Sequence, residues 1–156
     1  IESREQLDRA ISLSLYPDAG GSRGVGYSRA NMYGRDFDPY RVGAAKDILL
    51  VAQIEHIRAV EQLDAILSHP RLDAIMVGPY DLSGSMGLTG QFDHPDFVAV
   101  MDSINEACKR HNMPMGNHVV QPEPERLAKC IADGYRFIAY GIDAVFLLHG
   151  CACPQR

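Results

Sequence analysis

The chain has 156 residues, of which 46% are hydrophobic and 22% charged, and its formal net charge is −5. That size and apolar content suit one domain with a real core, and a mildly acidic chain without a Lys/Arg run lacks the footprint of a binder of nucleic acid or anionic membranes. No stretch reaches the roughly 18 apolar residues of a transmembrane helix, no signal peptide is visible although the chain begins with Ile1, and four sparse cysteines suit a reduced, cytoplasmic protein.

Taken in chain order, Ser3 with Gln6 has the form of a capping box, followed by Leu7, Ile11 and Leu15 on one face. The chain is therefore expected to open on a helix, with Ile1 and Glu2 as the tail of a preceding strand. Residues 16–46 read as a long connection rich in Gly, Pro, Tyr and Arg, and loops of that length are usually functional or at interfaces. Within it, Gly20–Gly26 lacks the Gly-Lys-Ser/Thr ending of a phosphate loop and does not sit directly between a strand and its helix.

Four apolar runs follow: Ile48–Ala52, Ala74–Val77, Met113–Met115 with Val119 and Val120, and Phe137–Tyr140. Continuous apolar character implies strands buried on both faces, which points to parallel strands covered by helices. The segments between them fit helices. Residues 57–67 align Ile57, Val60, Leu63 and Leu67; residues 96–111 align Phe97, Val100, Met101, Ile104 and Cys108. Residues 123–133 carry Leu127, Cys130 and Ile131, opened by Pro122 and Pro124 and closed by Gly134. This order predicts an α/β chain with right-handed crossovers, either an open doubly wound sheet or part of a closed barrel. Without a phosphate loop the barrel is preferred, and both architectures place the chemistry at the C-terminal ends of the strands. Cys108 and Cys130 read as small core hydrophobes, and Met76, Met101, Met113 and Met115 as core filling. Cys151 and Cys153 have the wrong spacing for a C-x-x-C motif.

Two strand ends carry acids. The first runs into Gln53-Ile54-Glu55-His56, the second into Gly78-Pro79-Tyr80-Asp81-Leu82-Ser83. If those strands are neighbours, about 4.8 Å apart, Glu55 and Asp81 can meet on one ion and leave coordination positions open for water and substrate. Plainer readings stand beside this one: Glu55 solvating a loop or sitting near a helix N-terminus, and Asp81 capping a helix with Ser83. The Gly78-Pro79 pair would also aim the backbone N–H groups of Tyr80 and Asp81 at an anion. His56 and His118 read as packed or solvent-facing, and Asp143 as a helix cap, with pocket roles open for all three.

Gln53-Ile54-Glu55 and Gly78–Ser83, followed by Gly87 and His94-Pro95, resemble the HpcH/HpaI family of class II pyruvate aldolases. Tyr16-Pro17, Gly21-x-Arg23-Gly24-Val25-Gly26 and Phe137–Asp143 resemble it too, so the likeness runs from Ile1 to about Gly150. The resemblance implies a (β/α)8 TIM-barrel, with residues 1–150 forming roughly its second half and 151–156 a C-terminal tail. It implies Glu55 and Asp81 as ligands of a divalent metal, Mg²⁺ or Mn²⁺ with Co²⁺ also admissible. The backbone at Tyr80 and Asp81 would receive the pyruvate carboxylate, and Gln53 would line the same pocket. The family position at Tyr80 is usually small, so a tyrosine narrows or reshapes the pocket.

The activity implied is reversible cleavage of a 4-hydroxy-2-oxo acid to pyruvate and an aldehyde through a metal-stabilised pyruvate enolate, in a homo-oligomer. A lysine Schiff base is the other aldolase strategy, but Lys46 precedes a strand and Lys109 and Lys129 ride on predicted helices. The family fold begins with four more strands, which are expected to supply an enolate-stabilising arginine and a proton-handling histidine; no catalytic residue is assigned here. Alternatives are a related metal–enolate enzyme, acting on oxaloacetate or an acyl-CoA, or an inactive truncated or split half-barrel that needs a partner. Such a half would leave two sheet edges and its interior open, an aggregation hazard unless covered.

Overall fold

The computed structural model describes residues 1–151, and its first helix, α1 (Arg4–Ser14), begins where Ser3 caps it. Ser3 Oγ accepts the Gln6 N–H at 3.2 Å, while the Gln6 side chain accepts the N–H of Glu2 at 2.9 Å, one residue before the usual capping-box partner. Leu7 and Ile11 go inward as their spacing predicts. Short 3-10 segments at Pro17–Ala19 and Arg29–Gly34 then lead to α2 (Phe37–Asp47), so the expected connection over 16–46 ends in a helix. Pro39 and Gly43 interrupt the pattern of α2 and only Ala44 is buried, which leaves no stripe to read. In the same region Met32 and Tyr33 adopt left-handed backbone, φ 51° and 55°. The fully buried Asn31 pins them: its Oδ1 accepts the N–H groups of Ser28 and Gly34, and its Nδ2 donates to Gly26 O.

Strand β1 (Val51–Ile54) starts later than the apolar run at Ile48 suggests, because the Asp73 carboxylate takes the Leu50 N–H at 2.7 Å. The segment 57–67 is two helices, α3 (Ile57–Glu61) and α4 (Leu63–Leu67), broken at Gln62 where φ is −111° and ψ 16°. Of its expected stripe Leu63 and Leu67 are buried and Ile57 and Val60 half-buried, and Ala59 and Ile66 complete the inward face. Then come β2 (Ala74–Val77), α5 (Pro79–Ser85), α6 (Pro95–His111), β3 (Met115–Val119), α7 (Pro124–Ala132), β4 (Phe137–Tyr140) and α8 (Asp143–Gly150).

The four strands form one parallel sheet in the order β1-β2-β3-β4. Right-handed crossovers between successive neighbours put every connecting helix on the same face. An open doubly wound sheet would reverse its strand order, and this one does not. The sheet is an arc of barrel. Its helix side holds the core, where Ile54, Ile75 and Val77 meet Ile66, Leu82 and Ile104, all fully buried. The expectation of two buried faces is corrected: on the opposite side Val51 is 38% and Phe137 49% exposed. β1 and β4 each have a single strand partner, so both sheet edges are open among the described residues.

Cys108 and Cys130 are buried and Cys151 is exposed, while Cys153 and the rest of 152–156 lie outside the described residues. Burial pushes the Cys108 thiol up to about 11, which starves it of thiolate at ordinary pH. Alkylation of the folded protein at mildly alkaline pH should leave the Cys108 peptide unmodified by mass spectrometry. Modification should appear only when urea is added; rapid labelling in the native state would contradict the packing described for α6.

Candidate functional site

The last rung between β1 and β2 pairs Ile54 with Val77, and the Gly78 N–H extends it to the Ile54 carbonyl at 3.0 Å. Glu55 follows immediately. Gln53 and Glu55 are two residues apart and so project to the same side of the strand, away from the core-facing Ile54. The Gln53 amide Nε2 donates to Glu55 Oε2 at 2.6 Å, which fixes the direction of the carboxylate. Both side chains pass close over Gly78. A Cβ at that position would lie 2.9 Å from Glu55 Cβ and Oε2 and 3.2 Å from Gln53 Nε2, so only glycine leaves Glu55 where it is.

Pro79 then starts α5 with Gly78 as its cap, which puts Tyr80 and Asp81 in the first helical turn. The alternative of Asp81 as the capping residue is therefore not what the chain adopts. In a first turn the N–H groups have no preceding helical carbonyl to bond. The Asp81 carboxylate is exposed and makes no ion pair or side-chain hydrogen bond among the described residues. Ser83 secures the turn from inside: fully buried, its Oγ donates to Tyr80 O at 2.9 Å and accepts the Gly90 N–H at 3.0 Å.

Glu55, His56, Tyr80, Asp81 and Ser85 line one cavity of about 570 Å³. Gln53, Tyr80, Asp81 and His118 line a second, of about 330 Å³. Tyr80 and Asp81 border both, so the three residues singled out with Glu55 come together at the C-terminal edge of the sheet. No lysine lines either cavity, and neither does any of the loop arginines Arg23, Arg29, Arg35 and Arg41. Arg23 instead sits 4.6 Å from the Tyr16 ring centre, and Arg41 pairs with Asp18.

The donors fit a hard divalent cation: of the three carboxylates on one cavity Glu2 pairs with Arg58, while Glu55 and Asp81 are not neutralised by a basic side chain among the described residues. No group of three His, Cys, Asp or Glu residues suited to a metal occurs among the described residues, so these two acids would supply only part of a coordination sphere.

His56 caps α3, its Nδ1 accepting the Arg58 N–H at 3.2 Å. His118 differs from the packed or solvent-facing reading: it is half-buried, lines the second cavity, and its Nε2 lies 3.4 Å from Gly141 O. Its register gave the signal, because His118 lies two residues beyond Gly116, which is level with Met76 and Gln53, and so faces the same side as Gln53. Asp143 is the first residue of α8, with Ile142 in the cap position, and accepts the next N–H, that of Ala144, at 2.7 Å. Sequence patterning did not show the support behind Tyr80. Its ring meets Phe92 edge-on at 4.9 Å and 84°, and Phe92 leans on Phe97 at 5.5 Å.

The HpcH/HpaI aldolase/citrate lyase family model matches residues 1–150. A 2-keto-3-deoxy-L-rhamnonate aldolase of Salmonella paratyphi B is 34% identical over 147 residues, covering 93% of this chain and 54% of that protein. A 5-keto-4-deoxy-D-glucarate aldolase of Shigella dysenteriae serotype 1 is 34% identical over 144 residues, covering 92% and 55%. The crystal structure of an HpcH/HpaI aldolase/citrate lyase family protein from Burkholderia cenocepacia superimposes with a TM-score of 0.87 at 28% identity, over 96% of this chain and 59% of the other. The chain thus spans about half the length of the curated relatives it matches.

The close pass of Glu55 over Gly78 is testable. Gly78→Ala should destabilise the protein by about 1–3 kcal/mol in urea titration, the usual range for overpacking. Gly84→Ala, where a Cβ would meet nothing nearer than Thr89 Oγ1 at 3.6 Å, should be neutral or stabilising. Equal effects at the two glycines would refute the assigned geometry.

Proposed function

The chain belongs to the HpcH/HpaI aldolase/citrate lyase family, and from that premise we propose that it carries the metal and pyruvate half of an aldolase site. The reaction proposed is reversible cleavage of a 4-hydroxy-2-oxo acid to pyruvate and an aldehyde. The observation that carries this reading is the convergence of Glu55 and Asp81 on one cavity at the C-terminal edge of a parallel sheet.

In this reading Glu55 and Asp81 hold a divalent ion, Mg²⁺ or Mn²⁺, through hard oxygen donors. Such an ion supplies Lewis acidity where negative charge develops on a 2-oxo acid. The protein's own part is positional. Gln53 keeps one Glu55 oxygen directed by its amide and presents the rest of its side chain to the adjoining cavity. The N–H groups of Tyr80 and Asp81, in the open first turn of α5, receive the substrate carboxylate. The Tyr80 ring, backed by Phe92, walls the side on which the aldehyde portion would lie and limits its bulk.

The same reading places the protein in the cytoplasm as a homo-oligomer acting on a small 2-oxo acid and an aldehyde. No helix among the described residues is long and apolar enough to cross a membrane. The isolated 156-residue chain should turn over weakly or not at all, because one face and both edges of its sheet remain open.

Pyruvate release should be followed with 4-hydroxy-2-oxo acids and with oxaloacetate in the protein containing this chain. We expect Mg²⁺- or Mn²⁺-dependent cleavage of the hydroxy acids, lost on chelation and restored by the metal. Asp81→Asn and Glu55→Gln should each lower kcat/KM at least about a hundredfold, the scale of losing a key electrostatic contact. Preference for oxaloacetate would shift the assignment to a decarboxylase. Full activity in excess chelator would overturn the metal reading, and robust turnover by residues 1–156 alone would overturn the expected dependence on further structure.

A further inference from the structure

The two acids sit on separate elements, and something must keep those elements at a fixed separation once the strand ladder stops. The ladder ends where the Gly78 N–H meets Ile54 O at 3.0 Å. Beyond it the chain leaves both strands, into Glu55-His56-Ile57 on one side and Pro79–Ser85 on the other. One side chain rejoins them. Ser85 Oγ accepts the Ile57 N–H at 2.9 Å and donates to Leu82 O at 2.7 Å.

The placement of these two ties is what gives the hydroxyl its meaning. Glu55 lies between Ile54 and Ile57, and Asp81 lies between Gly78 and Ser85. Each acid is thus bracketed by the same pair of cross-links, one from the backbone and one from Ser85. A serine bonded to a carbonyl three residues earlier is common on its own, and so is a hydroxyl that satisfies a helix-opening N–H. Here a single half-buried oxygen does both, between the two elements that carry the acids. Its proton is committed to Leu82 and one lone pair to Ile57, so although it borders the cavity it acts through the backbone.

We propose that Ser85 is a positioning residue that sets the separation of Glu55 and Asp81. This rests on the metal reading of those two acids. Removing the hydroxyl leaves the Ile57 N–H without its acceptor and frees the α3 end to move relative to α5, so the two carboxylates no longer meet the ion together.

The test is Mn²⁺ affinity of the purified protein, read from the electron paramagnetic resonance of free Mn²⁺, with thermal melting of the metal-free form measured alongside. Ser85→Ala should bind Mn²⁺ about tenfold more weakly, on the order of one lost hydrogen bond. Ser85→Thr, which keeps the hydroxyl, should bind like wild type. Ser85→Cys, a poorer donor and acceptor, should fall between them and carries the comparison with Ser85→Thr if the alanine variant does not fold. Unchanged Mn²⁺ affinity in a folded Ser85→Ala or Ser85→Cys variant, even with a lowered melting temperature, would show a purely structural hydroxyl and overturn the proposal. Absence of Mn²⁺ binding by the wild type would instead remove the metal reading, and this inference with it.

Discussion

Successive strands of this sheet are neighbours in space as well as in sequence, and all run the same way. That constraint decides nearly everything else about the molecule. Parallel direction brings the C-terminal ends of all four strands to one rim, and right-handed crossovers keep the helices on one side of the sheet. Residues that leave adjacent strands at the rim must then share space. Glu55 and Asp81 are such residues, and the cavity they border follows from connectivity before any particular contact is considered.

Connectivity alone does not aim a carboxylate, and the finer geometry depends on small groups. Gly78 has no side chain, so Glu55 and Gln53 can lie over it, and the Gln53 amide can hold a Glu55 oxygen. Ser83 does comparable work one helical turn further on, joining Tyr80 to the loop at Gly90 from a fully buried position. Glycine and serine thus arrange the charged residues here. The bulky residues, Tyr80, Phe92 and Phe97, form the adjoining wall through edge contacts that fix ring orientation as well as burying area.

Much of the fold was legible because its signals are local and redundant. β2 and β4 occupy the stretches that their apolar runs mark, and α6 begins one residue before the segment that its stripe marks. Errors arose where a tertiary contact overrode a local pattern. The Asp73 carboxylate takes the Leu50 N–H and delays β1, and the bend at Gln62 divides a stripe that reads as one helix. α5 starts before the Asp81 that reads as a helix cap, and because Pro-Tyr-Asp-Leu-Ser-Gly-Ser has weak helix propensity it is burial of Leu82 and the bonds of Ser83 and Ser85 that hold it. That Glu55 and Asp81 border one cavity could be anticipated from two acids at consecutive strand ends. For His118 the sequence leaves a pocket place open beside a packed or solvent-facing one, and the pairing of β3 with β4 decides between them.

The sequential strand order also bears on how the chain acquires its shape during synthesis. Each new strand finds its partner already made, the longest wait being that of β2 for β3, as in Ile75 for Met115. No pairing described here requires a later segment to insert between two earlier ones. Growth of the sheet can therefore follow the ribosome, strand by strand, with each helix closing over the rung just laid. The last of the described strands, β4, joins with little cover, its four residues ranging from exposed to half-buried. The growing end of the sheet thus stays receptive after the rest has set.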